Sequence, residues 1–195
     1  MARQKSYRLN IINMIQKNNF YIITGGPGVG KTTLIEELEH RGYNCIPEVA
    51  REIIRYQMEI QGDALPWLDA KKYSKMMLSY SIRDFVDLSG SDKLYFFDRG
   101  IPDTYGYEKL MNFDTDHDLK VAVQKYRYNK TVFILPPWEK IYHTDNERQQ
   151  DFSVAVDTYE VMKYSYKQLG YELCEVPLLA VEDRADFVIE KLNEK

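Results

Sequence analysis

Between the apolar run Phe20-Tyr21-Ile22-Ile23-Thr24 and a helix-patterned segment stand Gly25-Gly26-Pro27-Gly28-Val29-Gly30-Lys31-Thr32, which fill G-x-x-x-x-G-K-[ST] at every fixed position. No other stretch constrains the fold as strongly. Glycines let consecutive backbone N–H groups turn inward around a phosphate chain, and a helix opening at Lys31 adds the positive end of its dipole. The motif therefore predicts a strand, a phosphate-cradling loop and a helix, in that order. Lys31 is placed to reach β- and γ-phosphates, and the Thr32 hydroxyl to ligate Mg²⁺, a hard cation that takes oxygen ligands. The alternative, a plain glycine-rich turn, has to explain every fixed position and both flanks as coincidence.

The remainder of the chain continues the alternation of strand and helix. Leu34, Ile35 and Leu38 form the apolar stripe of a helix from Lys31 to Arg41 that Gly42 ends, and Tyr43 to Pro47 reads as a second strand. Helices are expected over Glu48 to Gln61 and from an N-cap at Asp69 to Leu88. Lys93 to Phe97 and Thr131 to Leu135 are short strands, the latter stopped by Pro136-Pro137, with helical spacing between them from Leu119 to Tyr126. Ala155, Tyr159, Met162, Tyr166 and Leu169 share one helix face, closed by Gly170 before the strand Tyr171 to Val176 and a last helix from Asp183 to Leu192. Such an order predicts an α/β/α sandwich with about five parallel strands, because parallel neighbours need long crossovers and both sheet faces need cover. Residues 1–19 read as a polar leader compatible with helix, and 20–195 as one domain.

Composition excludes rather than identifies. Twenty-six Lys+Arg against 30 Asp+Glu leave a net charge of −4, so bulk charge gives no reason to expect a nucleic-acid partner. Two cysteines, Cys45 and Cys174, and three histidines, His40, His117 and His143, complete no zinc pattern. No apolar run is long enough for a membrane span, and the expectation is a reduced, cytoplasmic protein.

A second chemical landmark is Tyr95-Phe96-Phe97-Asp98, a hydrophobic strand ending in a carboxylate, the position from which an acid holds Mg²⁺ beside a phosphate loop. Arg99 follows where many water-activating ATPases carry Glu, and an arginine there suits a site that grips a second anionic group. The guanine signatures D-x-x-G and N-K-x-D are incomplete, since Ile101 stands where the first needs Gly and Val132 where the second needs Asp. Arg51 lies three residues beyond Glu48, so a helix displays both in similar directions: an anion clamp, or an ion pair with Glu48 or Glu52. Asp103 reads as a contact for acceptor hydroxyls or as a cap of the following turn. Trp67, Tyr73, Tyr105 and Tyr107 read as an acceptor wall or as ordinary core and rim.

Taken together, Gly25 to Thr33, Pro47-Glu48-Val49-Ala50-Arg51-Glu52 and Asp98-Arg99-Gly100-Ile101-Pro102-Asp103 resemble the P-loop nucleoside and nucleotide kinases, and within the P-loop class the AAA-like ATP-binding domain of the NadR/Ttd14 type. The resemblance runs from about Phe20 to the C-terminus. It implies a P-loop NTPase fold with ATP and Mg²⁺ as cofactors. ATP would be held by Gly25, Gly26, Pro27, Gly28, Val29, Gly30, Lys31, Thr32 and Thr33, and Mg²⁺ by Thr32 and Asp98. It also implies a catalytic set of Lys31, Glu48, Asp98, Arg99 and Arg148 acting on a nucleoside-like or other small acceptor. Glu48 would be the acceptor-side carboxylate, or else only a partner of a helix N-terminus. Lys140 to Asp151 corresponds to a short lid with Arg148 at its centre and Lys140 as a lesser candidate, or to a charged surface loop. Val176 to Val181 corresponds to the loop beside the nucleotide base. The rival reading is a nucleotide-binding regulator, a slow ATPase or GTPase-type protein that signals to a protein or lipid partner.

Overall fold

The computed structural model describes residues 13–142 and 151–194. Five strands form one wholly parallel sheet: β2 (Phe20–Gly25), β3 (Asn44–Ile46), β4 (Tyr95–Asp98), β6 (Thr131–Leu135) and β7 (Glu172–Glu175), in the order β3-β4-β2-β6-β7. Every residue of β2 is buried, as a central strand with both faces covered requires. Alternation along it sorts the core. Phe20 and Ile22 face a layer built by α3 (Ala70–Leu88), α4 (Ile101–Leu110), α5 (His117–Lys125) and α6 (Phe152–Gln168). Tyr21 and Ile23 face α1 (Lys31–His40) and α7 (Val181–Asn193), where Leu34, Leu38, Ala185 and Val188 are fully buried. The expected three-layer P-loop architecture is the one observed.

Because all five strands run the same way, the loops that follow β2, β3 and β4 emerge at one edge of the sheet. The register aligns Ile23 with Asp98 and Ile46 with Phe97, which brings the end of β4 to within two residues of Gly25, with Glu48 just beyond β3. The chain moves outward from β2 to one side and then returns to the other, so this edge is also where the connections reverse, the usual place for a ligand in an open α/β sheet.

Three local features depart from the sequence reading. Helix α2 covers Val49–Glu59, shorter than expected at both ends, with Glu48 as its N-cap residue and Ile60 outside it. Ile15–Gln16 of the leader is a strand, β1, paired in parallel with β5 (Tyr126–Arg127), which in turn takes Tyr126 out of the expected helix; residues 1–12 lie outside the described residues. Helix α4 was not anticipated. Its Pro102 stands in the first turn, where a missing N–H has no partner to lose. Gly106 faces the Met162 side chain of α6, whose Sδ a Cβ there would meet at 2.4 Å.

Candidate active site

The loop between β2 and α1 is pinned from beneath and approached from above. Val29 is buried among Leu34, Phe133 and Val176, which fixes the loop's underside. Gly28 has φ 71, a left-handed backbone that side chains resist, and a Cβ there would fall 2.6 Å from the Tyr142 ring. Tyr142 packs edge-on against Phe152 and donates a 3.2 Å hydrogen bond to the Asp151 carbonyl. Arg184 of α7, a residue with no distinctive signal in the sequence, is buried beside the loop. It donates to the Gly30 carbonyl at 3.3 Å, and its guanidinium sits over the Trp138 ring at 5.7 Å.

Lys31, the first residue of α1, is buried, and its Nζ donates to the loop's own Gly26 and Gly25 carbonyls at 2.8 and 3.4 Å. Burial, reinforced by the charge of Arg99, lowers its pKa to about 8 against the partial compensation of Asp98, Glu48 and Asp103. Thr33 Oγ1 donates to the Gly30 carbonyl, while the Thr32 hydroxyl accepts a long 3.4 Å contact from Arg51.

Glu48 and Arg99 form the central ion pair. Arg99 Nε donates to Glu48 Oε1 at 2.7 Å, and Arg51 approaches Glu48 Oε2 at 3.5 Å. Burial alone would raise the Glu48 carboxyl, but Arg99, Lys31 and Arg51 together hold it down at about 2. Arg51 thus realises the ion-pair reading while also touching Thr32; it remains half-exposed. Glu52, the other expected partner of Arg51, instead pairs with Arg83.

Arg99 itself has φ 72, a left-handed conformation costing about 1–3 kcal/mol in a residue other than glycine. Its N–H donates to the Ile23 carbonyl, and Nη1 reaches Asp103 Oδ1 at 3.2 Å. Asp103 does not face outward toward an acceptor. Its carboxylate is buried and accepts from Thr24 Oγ1 at 2.5 Å, from the Gly100 N–H at 2.8 Å and from the Tyr166 hydroxyl, so it caps the start of its own helix rather than the turn that follows.

Asp98 ends β4, and its Oδ1 is buried without a hydrogen-bond partner among the described residues. A buried acceptor left unpaired is costly, so this atom has chemistry to offer a donor or cation. Burial, with the negative charge of Glu48, raises its pKa. No group of three His, Cys, Asp or Glu among the described residues forms a metal cage.

Of the candidate aromatics, Tyr73 and Tyr107 meet edge-to-face at 5.6 Å, and Glu48 lies near enough to help burial raise the Tyr73 hydroxyl's pKa. Tyr105 instead reaches Gln168, and Trp67 is 61% exposed. Lys140 lies in a short 3-10 turn, Glu139–Ile141, and Arg148 and His143 lie outside the described residues. Val176 is buried and Leu178 and Leu179 are about half-exposed, at 47% each.

With this geometry in hand, the profile of the AAA domain family matches residues 20–184. The chain belongs to that family. No curated protein sequence matches this AAA domain protein. Among solved structures it is similar to the NadR protein in complex with NR, with a TM-score of 0.65 and 18% identity over 90% of this chain; the chain spans 52% of that protein's length. It is similar to deoxyadenosine kinase from M. mycoides with dCMP and dCDP, with a TM-score of 0.62 and 18% identity over 90% of this chain and 100% of that one. It is also similar to shikimate kinase from Acinetobacter baumannii in complex with shikimate, with a TM-score of 0.53 and 15% identity over 93% of this chain and 94% of that one. The AAA domain therefore shares its P-loop fold with small-molecule kinases. No described helix of it is long and apolar enough to cross a membrane.

Proposed function

We propose that this AAA domain protein is a small-molecule kinase that binds ATP and Mg²⁺ at the Gly25–Thr33 loop and transfers the γ-phosphoryl group to a hydroxyl of a nucleoside-like or other small acceptor. One observation carries the reading: the side chains of Lys31, Glu48, Asp98 and Arg99 converge at one edge of the sheet, with Glu48 paired to Arg99 and Asp98 Oδ1 unpartnered beside them. The likeness in fold to nucleoside and shikimate kinases supports it.

In this reading the loop amides and Lys31 hold the triphosphate, and Lys31 exchanges the Gly25 and Gly26 carbonyls for phosphate oxygens, which make stronger charge-assisted bonds. Thr32 and Asp98 would hold Mg²⁺, which when bound neutralises charge on the phosphates. Glu48, ionised at neutral pH because of Arg99, accepts a hydrogen bond from the acceptor hydroxyl and so aims its oxygen, a weak base suited to a transfer whose proton leaves late. Arg99 steadies charge on the transferring group, and Arg148 is assigned the same task from the lid. Tyr73 and Tyr107 flank the acceptor side near Glu48.

The experiment is to incubate the pure protein with Mg·ATP and a library of nucleosides, nucleotides and sugars, following products by mass spectrometry. A phosphorylated acceptor is expected. Tight ATP binding with no acceptor phosphorylated overturns the kinase reading in favour of a nucleotide-binding regulator.

The Asp98 assignment has its own test. Asp98→Asn should raise the Mg²⁺ concentration for half-maximal turnover about tenfold or more while leaving metal-free ATP binding within about threefold, measured by Mg²⁺ titration at fixed ATP. An unchanged Mg²⁺ requirement removes Asp98 from the metal site.

A further inference from the structure

One buried carboxylate connects every part of this site, and its position differs from what a substrate contact requires. Asp103, in the first turn of α4, accepts from Thr24, the residue immediately before the phosphate loop; from the N–H of Gly100, in the turn that carries Arg99; from Arg99 itself; and from the Tyr166 hydroxyl of α6. Its two oxygens divide the work. Oδ1 takes Thr24 and Arg99, whereas Oδ2 takes Gly100 and Tyr166. Arg99 is thereby gripped at both ends of its guanidinium, Nε by Glu48 and Nη1 by Asp103, on a backbone that would not hold a left-handed conformation unaided. Tyr166 is fully buried beside Tyr171 and Tyr128, so its hydroxyl has no water to turn to and Asp103 is its hydrogen-bond acceptor.

We infer that Asp103 is a positioning residue that sets the Arg99 guanidinium against Glu48, and that Tyr166 ties the placement of α6 to that setting. The inference rests on the kinase reading only for its kinetic consequence; the geometric part stands on the hydrogen bonds alone. Thr24 ties the same carboxylate to the start of the phosphate loop, so a displacement of α6 at Tyr166 reaches Arg99 and the loop through a single group. Asp103→Asn keeps the shape but removes the negative charge facing Arg99 and leaves one acceptor oxygen to be shared among the donors Thr24, Arg99, Gly100 and Tyr166. Tyr166→Phe removes one hydroxyl and leaves the ring packing in place.

The test uses the full chain. The first readout is the Arg99 Nε–H resonance in ¹⁵N-edited NMR spectra of the nucleotide-free protein, assigned by its loss in Arg99→Lys. Asp103→Asn is expected to shift that resonance and speed its exchange with solvent at least about tenfold, and Tyr166→Phe to do the same to a smaller extent. The second readout is turnover of the acceptor found by the library screen: Asp103→Asn should lower kcat at least about tenfold and Tyr166→Phe about threefold, with KM for ATP within about threefold in both. If Asp103→Asn fails to fold, Tyr166→Phe decides alone. An unmoved Arg99 resonance in a folded variant, or lowered melting temperatures with kcat per folded molecule unchanged, overturns the inference and leaves Asp103 a structural cap. Since the resonance is read without nucleotide or acceptor, a failed acceptor screen would count against the kinase reading and not against this one.

Discussion

Lys31→Ala is expected to weaken Mg·ATP binding about a hundredfold in a titration with a fluorescent ATP analogue. A buried ammonium bonded to two carbonyls can be redirected onto phosphate, where each charge-assisted bond contributes on the order of 1.5–3 kcal/mol. Alanine leaves those carbonyls without the Lys31 donor and removes the ammonium that lies against the loop. The fold should survive, because Leu34, Ile35 and Leu38, not Lys31, seat α1 on the sheet. A pH series sharpens the point. With its pKa lowered to about 8, Lys31 is charged below that value and progressively neutral above it. Bound phosphate favours the charged form, so binding takes up a proton at high pH, and affinity should fall on the order of tenfold between about pH 7.5 and about 9.5. Lys31→Ala should show no such fall. Affinity that is unchanged in Lys31→Ala would falsify the loop assignment on which every other role depends.

Glu48→Gln should separate binding from chemistry. Affinity for Mg·ATP should stay within about threefold, while turnover of the identified acceptor falls on the order of 100-fold, a typical loss for a group that orients or accepts a proton. The amide keeps the shape of the carboxylate but lowers the electron density offered to an acceptor hydroxyl, and it leaves Arg99 with Asp103 as its only carboxylate partner. A drop in stability on the order of 1–3 kcal/mol is therefore expected as well, read by urea unfolding. The pH dependence carries a sign. A folded-state pKa of about 2, below the ordinary 4.5, means this carboxylate contributes stability that is fully present above about pH 4.5 and lost as pH falls toward 2. The wild-type rate should for the same reason show no acid limb from Glu48 between about pH 5 and about pH 8. If Glu48→Gln loses stability yet turns over normally, Glu48 is the ion-pair partner of Arg99 and nothing more.

The phosphate loop and the strand order of events along the chain were legible because they depend on local rules: glycine spacing, period-2 and helical patterning, and Asp69 accepting from the Lys72 N–H at its helix start. Gly42 and Gly170 likewise sit at helix ends with φ of 88 and 79, as their positions predict. Helix α4 was hidden because the side it buries carries Asp103, Thr104, Gly106 and Glu108 in place of an apolar stripe. The β1–β5 pair was hidden for a related reason, since strands of two residues carry no period to read.

The sequence by itself determined that this chain would build a parallel α/β sandwich with a glycine-rich loop between β2 and α1, and it offered Lys31, Glu48, Asp98 and Arg99 as candidate site residues. Their pairing was decided by the tertiary structure alone: that Arg99 binds Glu48, that Asp103 turns inward to Thr24 and Tyr166, and that Arg184 and Tyr142 close on the loop. The physical reason is range. Backbone conformation and amphipathic pattern act over a few residues and are written in neighbouring letters, whereas a buried charge finds its partner wherever the sheet register brings one within about 3 Å, and no spacing in the sequence encodes that meeting.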